Sequence, residues 1–225
     1  MTGSLVSAGT RQRVRDLATP IATGLGRLGL TPNALTLIGF AGTAVAAWAA
    51  ANQWWLAAGV LVLAFGIFDL FDGALARATG RTSKLGAFLD STFDRAGELL
   101  VYIGLAAGLM ATGPRLAVTL TLLVWAAAAS TMVSYTRAKS ESLGFTTGTG
   151  MAAVGLAPRE VRVAVMGIGL ILAGLLPTPD IDFFAIREVP PPIAAITGVL
   201  GIIAILATIT TVQRILHVRA QAREG

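Results

Sequence analysis

The sequence predicts an all-α, polytopic integral membrane protein: six transmembrane helices behind an N-terminal amphipathic helix on the membrane surface. Three observations carry this. Of 225 residues, 55% are hydrophobic and 13% are charged, about half the charged share of a soluble domain. The mean hydropathy is +0.75. The apolar residues also gather into six stretches of roughly the 20 residues that a helix needs to cross a bilayer.

The chain divides into a juxtamembrane segment, 1–30, and a transmembrane domain, 31–225. In the first, Leu17, Ile21, Leu25 and Leu28 share one helical face, and Arg11, Arg13, Arg15 and Arg27 lie among them. That pattern suits a helix lying on an anionic bilayer surface. No apolar core with a small-residue cleavage site is present there, so no cleavable signal peptide is expected.

Thr31 and Pro32 open the first span, as N-cap and first helical residue. The expected spans are 33–51, 54–77, 85–111, 116–140, 159–176 and 193–213. Asn52-Gln53-Trp54-Trp55 turns the chain between the first two, with paired Trp suited to the interface. Residues 78–85 form a basic, hydroxyl-rich loop, 141–158 a Gly/Thr-rich loop, and 177–192 a loop with five prolines. Cysteine is absent, which excludes disulfides and thiolate metal sites and leaves the compartment unread.

Six spans would put both termini on one side. That side collects 14 of the 17 Lys and Arg residues, and the other holds Arg115 and Arg187. Positive-inside then orients the termini and the 78–85 loop to the cytoplasm, in a cell (inner) membrane. The net charge of +5 thus follows from topology, and no nucleic-acid partner is expected.

Four carboxylates break the apolar pattern. Asp69, Asp72, Gly73 and Ala76 stand at i, i+3, i+4 and i+7 on one helical face, and Gly86, Asp90 and Asp94 at i, i+4 and i+8 on the next. Carboxylates near a bilayer cost several kcal/mol unless partnered. Divalent cations, which prefer oxygen, are the natural partners. Gly73, Ala76 and Gly86 clear bulk from the same stripes, and Arg77 offers a fork of donors suited to phosphate.

The pattern D-x2-D-G-x2-A-R-x8-G-x3-D-x3-D resembles the signature of the CDP-alcohol phosphotransferases. That resemblance implies an enzyme that moves a substituted phosphate from a CDP-linked donor, such as CDP-diacylglycerol, to an alcohol and releases CMP. It implies metal binding by Asp69, Asp72, Asp90 and Asp94, with two Mg²⁺ per site (Mn²⁺ as the alternative), and marks Asp94 as general base. It carries Thr31, Pro32, Asn33, Ala34, Gly73, Ala76, Arg77 and Ser83 over as CDP-lipid contacts. A cap alone would explain Thr31 and its neighbours, and a solvated loop would explain Lys84. The resemblance also implies a homodimer.

On the expected cytoplasmic side, Ser134, Arg137, Arg159, Arg162 and Arg214 gather donors suited to the phosphate of an acceptor. This resembles the branch that makes phosphatidylinositol phosphate from inositol phosphate. Positive-inside charge without a ligand is the alternative explanation for the same arginines. Phosphatidylglycerophosphate synthase is the runner-up activity, although no Gly-Lys-x-Lys-Thr run occurs. A divalent-ion channel or transporter would also place Asp in a membrane. Against it, the four Asp lie at one end of their spans with no acidic cluster opposite. Single His217, near the tail, reads as a solvated residue.

Overall fold

The computed structural model describes residues 8–112, 116–145, 154–177 and 189–224; the side chains of 8–17, 69 and 224 are outside the described set. Among the described residues every regular element is a helix: α1 (Ala8–Arg27), α2 (Pro32–Ala51), α3 (Trp55–Ala78), α4 (Lys84–Met110), α5 (Ala117–Ser142), α6 (Arg159–Leu175) and α7 (Pro191–Glu224). Helix starts and ends fall within about two residues of the six expected spans, with one exception. Apolarity ends near residue 213, but α7 continues to Glu224. The residues after 213 mix Arg, His and Gln with Ile215, Leu216 and Val218 and lack Gly or Pro until the last position, so nothing in the backbone stops the helix.

Among the described residues, four helices, α2, α3, α5 and α7, are long and apolar enough to cross a membrane. The other two expected spans have reasons to differ. Helix α6 is only 17 residues long. Helix α4 carries Asp90, Asp94, Arg95 and Glu98 before residue 99, and the rest of it is apolar.

Small residues set the packing. A Cβ added to Gly104 of α4 would collide with the Ala47 carbonyl of α2, and one on Gly108 with the Ala50 carbonyl. A Cβ on Gly59 of α3 would lie 2.6 Å from the Gly167 carbonyl of α6. Backbones in contact through small residues are the usual association mode where lipid removes the hydrophobic drive. Helix α2 therefore packs on both α3 and α4, α3 on α6, and α7 on α5 and α6. The main core runs through these contacts, with Leu105, Leu109, Leu170, Ile196, Leu200 and Ile203 fully buried.

Helix α1 lies against α3. Its Ala18 and Ala22 are buried with Leu35, Ala74 and Leu75. Of the expected apolar stripe, Ile21 and Leu28 face outward at 53% and 80% exposure. Leu25 packs inward, and the side chains of Leu17, Arg11, Arg13 and Arg15 lie outside the described residues. The helix thus meets the bundle through Ala18, Ala22 and Leu25 and leaves Ile21 pointing away.

Candidate active site

The site begins with two helix entries and one helix exit. Thr31 Oγ1 accepts from Ala34 N at 3.2 Å and caps α2. Ser83 Oγ accepts from Gly86 N at 2.9 Å and caps α4. Between them, α3 ends with Gly80 at φ 65 and a bond from Arg81 N to Ala76 O of 2.9 Å. That left-handed turn suits glycine and folds the loop back beside the end of α3.

These three pieces enclose a cavity of about 220 Å³. Pro32, Asn33 and Thr36 line it from α2, Asp72, Gly73, Ala76 and Arg77 from α3, and Gly86, Ala87 and Asp90 from α4. Arg81, Thr82 and Ser83 close the loop side. Two carboxylates and two guanidinium groups therefore share one space.

Each wall has a reason. Asp72 is only 4% exposed, and Thr36 Oγ1 lies 2.5 Å from its Oδ2. The same hydroxyl lies 3.2 Å from the Pro32 carbonyl, so its single proton serves the nearer carboxylate. Arg77 folds back over Gly73, where a Cβ would stand 3.2 Å from Nη1. A Cβ on Gly86 would stand 3.0 Å from Ser83 Oγ and 3.3 Å from Asn33 Oδ1. The glycines leave room for three polar side chains and for the cavity beyond them.

Asp94, one turn beyond Asp90, is not in that lining. It pairs with Arg159 of α6, Oδ1 to Nη1, at 3.2 Å. One turn deeper, Arg162 grips Glu98 with Nε to Oε1 at 2.8 Å and Nη2 to Oε2 at 2.7 Å. Its Nη1 donates to the Ala157 carbonyl at 3.0 Å. Arg162 is 2% exposed.

The other expected acceptor residues are dispersed. Arg214 is 3% exposed and donates to the carbonyls of Val154, at 3.1 Å, and Val133. Arg137 pairs on the surface with Glu141 at 2.9 Å. Ser134 lines a separate small space of about 30 Å³ with Arg95, Glu98, Tyr102, Ser130 and Thr131. Burial thus turns Arg162 and Arg214 toward protein carbonyls and a carboxylate, whereas Arg137 and Arg159 keep partial access.

Of the expected donor contacts, Pro32, Asn33, Gly73, Ala76, Arg77 and Ser83 converge on one cavity. Thr31 and Ala34 instead make the cap beneath it. Of the expected metal ligands, Asp72 and Asp90 share the cavity, Asp94 faces α6, and the Asp69 side chain lies outside the described residues. Among the described residues, no three carboxylate or imidazole groups converge tightly enough to hold an ion. Sequence reasoning missed Thr36 and Glu98. Thr36 stands four residues after Pro32, so its place on the same face was readable.

The family model for CDP-alcohol phosphatidyltransferase matches residues 29–220. An archaetidylinositol phosphate synthase from Pyrococcus horikoshii is 39% identical over 158 residues, 70% of this chain and 78% of the relative. A phosphatidylinositol phosphate synthase from Cutibacterium acnes is 36% identical over 180 residues, 79% of this chain and 84% of the relative. The crystal structure of Mycobacterium tuberculosis phosphatidylinositol phosphate synthase with manganese and citrate aligns at a TM-score of 0.73 and 30% identity, covering 90% of this chain and 88% of that one. The same enzyme with CDP-DAG bound aligns at 0.70 and 31%, covering 90% and 94%. The chain belongs to the CDP-alcohol phosphatidyltransferase family, a family of membrane enzymes.

Proposed function

We propose that the protein transfers a phosphatidyl group from CDP-diacylglycerol to a hydroxyl of inositol phosphate, releasing CMP. The observation that carries this is the shared cavity: Asp72 and Asp90 stand with Arg77, Ser83 and Asn33 around one space beside two glycines. Relatives named as phosphatidylinositol phosphate and archaetidylinositol phosphate synthases support the choice of acceptor.

In the reaction, the acceptor hydroxyl oxygen bonds to the phosphorus that carries diacylglycerol. The bond from that phosphorus to the bridging oxygen breaks, and CMP leaves with the electron pair. Gly73, Ala76 and Arg77 hold the CDP moiety, with Pro32, Asn33 and Ser83 on the facing wall. Asp94 accepts the hydroxyl proton, and Arg159 beside it orients the acceptor phosphate. Ser134, Arg137, Arg162 and Arg214 belong to the same acceptor side. Thr31 and Ala34 support the donor wall through the cap.

The donor set suits hard cations, since Asp72 and Asp90 bring oxygen ligands to one space without thiol or imidazole beside them. Asp69, Asp72, Asp90 and Asp94 would hold two Mg²⁺, or Mn²⁺, which when bound neutralise charge on the pyrophosphate. A relative solved with manganese supports a divalent ion.

The wider reading has the transmembrane domain, 31–225, crossing six times, with α4 and α6 completing the set. The juxtamembrane segment, 1–30, lies on the surface with Ile21 and Leu28 in the interface. Arg77, Arg81, Lys84, Arg159 and Arg214 at one end of the bundle favour a cytoplasmic active site and cytoplasmic termini. The protein works as a homodimer.

The test is CMP release by purified protein with CDP-diacylglycerol and Mg²⁺, across inositol phosphate, glycerol phosphate and serine. Release with inositol phosphate is expected. Preference for glycerol phosphate would make phosphatidylglycerophosphate the product, and no release with any acceptor would overturn the reading.

A further inference from the structure

We propose that Glu98 is a positioning residue for the transfer. Through its two-point contact with Arg162 it sets the spacing of α4 and α6, and so holds Arg159 against Asp94. The inference rests on the reading above that Asp94 and Arg159 act on the acceptor.

The two ion pairs form a ladder. Asp94 and Glu98 stand four residues apart on α4, and Arg159 and Arg162 three apart on α6, so each helix offers both rungs from one face. The outer rung pairs partly exposed groups at 3.2 Å. The inner rung is two contacts of 2.7 and 2.8 Å around a buried guanidinium. A planar fork against a carboxylate fixes direction as well as distance.

The surrounding packing gives this pair its leverage. Helix α4 packs on α2, and α6 packs on α3 and α7; α4 and α6 are not among the closely packed pairs. Between them lies a small cavity that Thr43, Gly66, Glu98, Tyr102, Arg159 and Arg162 help to line. Side chains therefore set the α4–α6 distance, and the doubled, buried rung is the stiffest of them. Arg162 also holds the Ala157 carbonyl, two residues ahead of Arg159, which fixes where α6 starts.

Glu98 and Tyr102 also line the space that contains Ser134. The carboxylate thus stands between the two groups of residues assigned to the acceptor. The donor cavity is lined by other residues and does not include Glu98.

The experiment is steady-state CMP release by Glu98→Gln, Glu98→Asp and Arg162→Lys, with donor and acceptor titrated separately and CDP-diacylglycerol binding measured on each protein. For Glu98→Gln we expect acceptor kcat/KM to fall about tenfold or more, with donor KM and donor binding within about twofold of the parent. Glu98→Asp should recover part of the loss, and Arg162→Lys, which lacks the fork, should reproduce the same split. If Glu98→Gln does not fold, Glu98→Asp carries the comparison at an expected loss of about threefold or more. Acceptor kcat/KM unchanged, or donor and acceptor parameters falling together with thermal stability, would overturn the inference while leaving the reading of function intact. A parent enzyme that uses no phosphorylated acceptor would take down both.

Discussion

The hydroxyl of Thr36 on α2 donates to the buried carboxylate of Asp72 on α3 across 2.5 Å. It anchors one carboxylate oxygen at the wall of the cavity. Thr36→Val keeps the shape and removes that donor. A hydrogen bond to a charged group contributes about 1.5–3 kcal/mol, so kcat/KM for the donor should fall roughly tenfold or more, and Thr36→Ser should retain most activity. A Mg²⁺ titration of CMP release on the three proteins checks this; identical curves would mean that Asp72 needs no anchor.

Asp72→Asn and Asp90→Asn should each abolish turnover while the protein still folds in detergent. Each substitution removes negative charge from the cavity that Asp72 and Asp90 share. EDTA should reproduce the loss in the parent, and Mg²⁺ or Mn²⁺ should restore it. Full turnover in chelator would exclude a metal role for both residues.

Asp94 separates two jobs, because it lies outside the donor cavity and faces Arg159. Asp94→Asn should lose the chemical step, by several orders of magnitude in single-turnover CMP release, while CDP-diacylglycerol still binds. A parallel loss of donor binding would instead make Asp94 chiefly a metal ligand.

Gly73 and Gly86 differ in what faces them. An alanine at 73 meets the flexible end of Arg77, which can move aside. At 86 it presses on Ser83, which is committed to the α4 cap, and on Asn33. Gly86→Ala should therefore raise donor KM about tenfold or more, and Gly73→Ala less than Gly86→Ala; forced overpacking typically costs about 1–3 kcal/mol. Donor titrations on the two variants rank them, and the reverse order would contradict this account.

Arg137 and Arg214 should part company. Arg137 is paired on the surface, so Arg137→Ala should raise acceptor KM with little change in melting temperature. Arg214 is buried against two backbone carbonyls, and its loss removes hydrogen bonds from a charged donor, each contributing about 1.5–3 kcal/mol. Arg214→Ala should lower the melting temperature in detergent. A Tm unchanged in Arg214→Ala would show that its buried bonds carry little.

What the sequence made legible follows from period and spacing. Helical periodicity placed Asp69, Asp72, Gly73 and Ala76 on one face and Gly86, Asp90 and Asp94 on another; Asp72 and Asp90 do meet, while Asp94 turns to α6. Turn chemistry likewise marked Thr31 as a cap, whereas Ser83, expected as a donor contact, also proves to cap α4. The partners of Arg162 and Arg214 were unreadable because they depend on contacts across 60 or more residues, to Glu98 and to the Val154 carbonyl. Charge counting treats every arginine at one end of a bundle alike, whereas burial sorts them. The end of α7 was misjudged for a related reason: hydropathy reports where apolar surface stops, and the backbone continued without it.

Helix α2 carries no charge, yet it acts as a fulcrum for the carboxylates on its neighbours. Its backbone touches α4 at Gly104, roughly 21 Å along the helix from Asp90 at 1.5 Å per residue. A methyl group added there would tip α4 like a beam on a wedge, and the far end would swing by more than the wedge is thick. The width of the catalytic mouth is therefore governed in part by glycines and alanines that never meet a substrate.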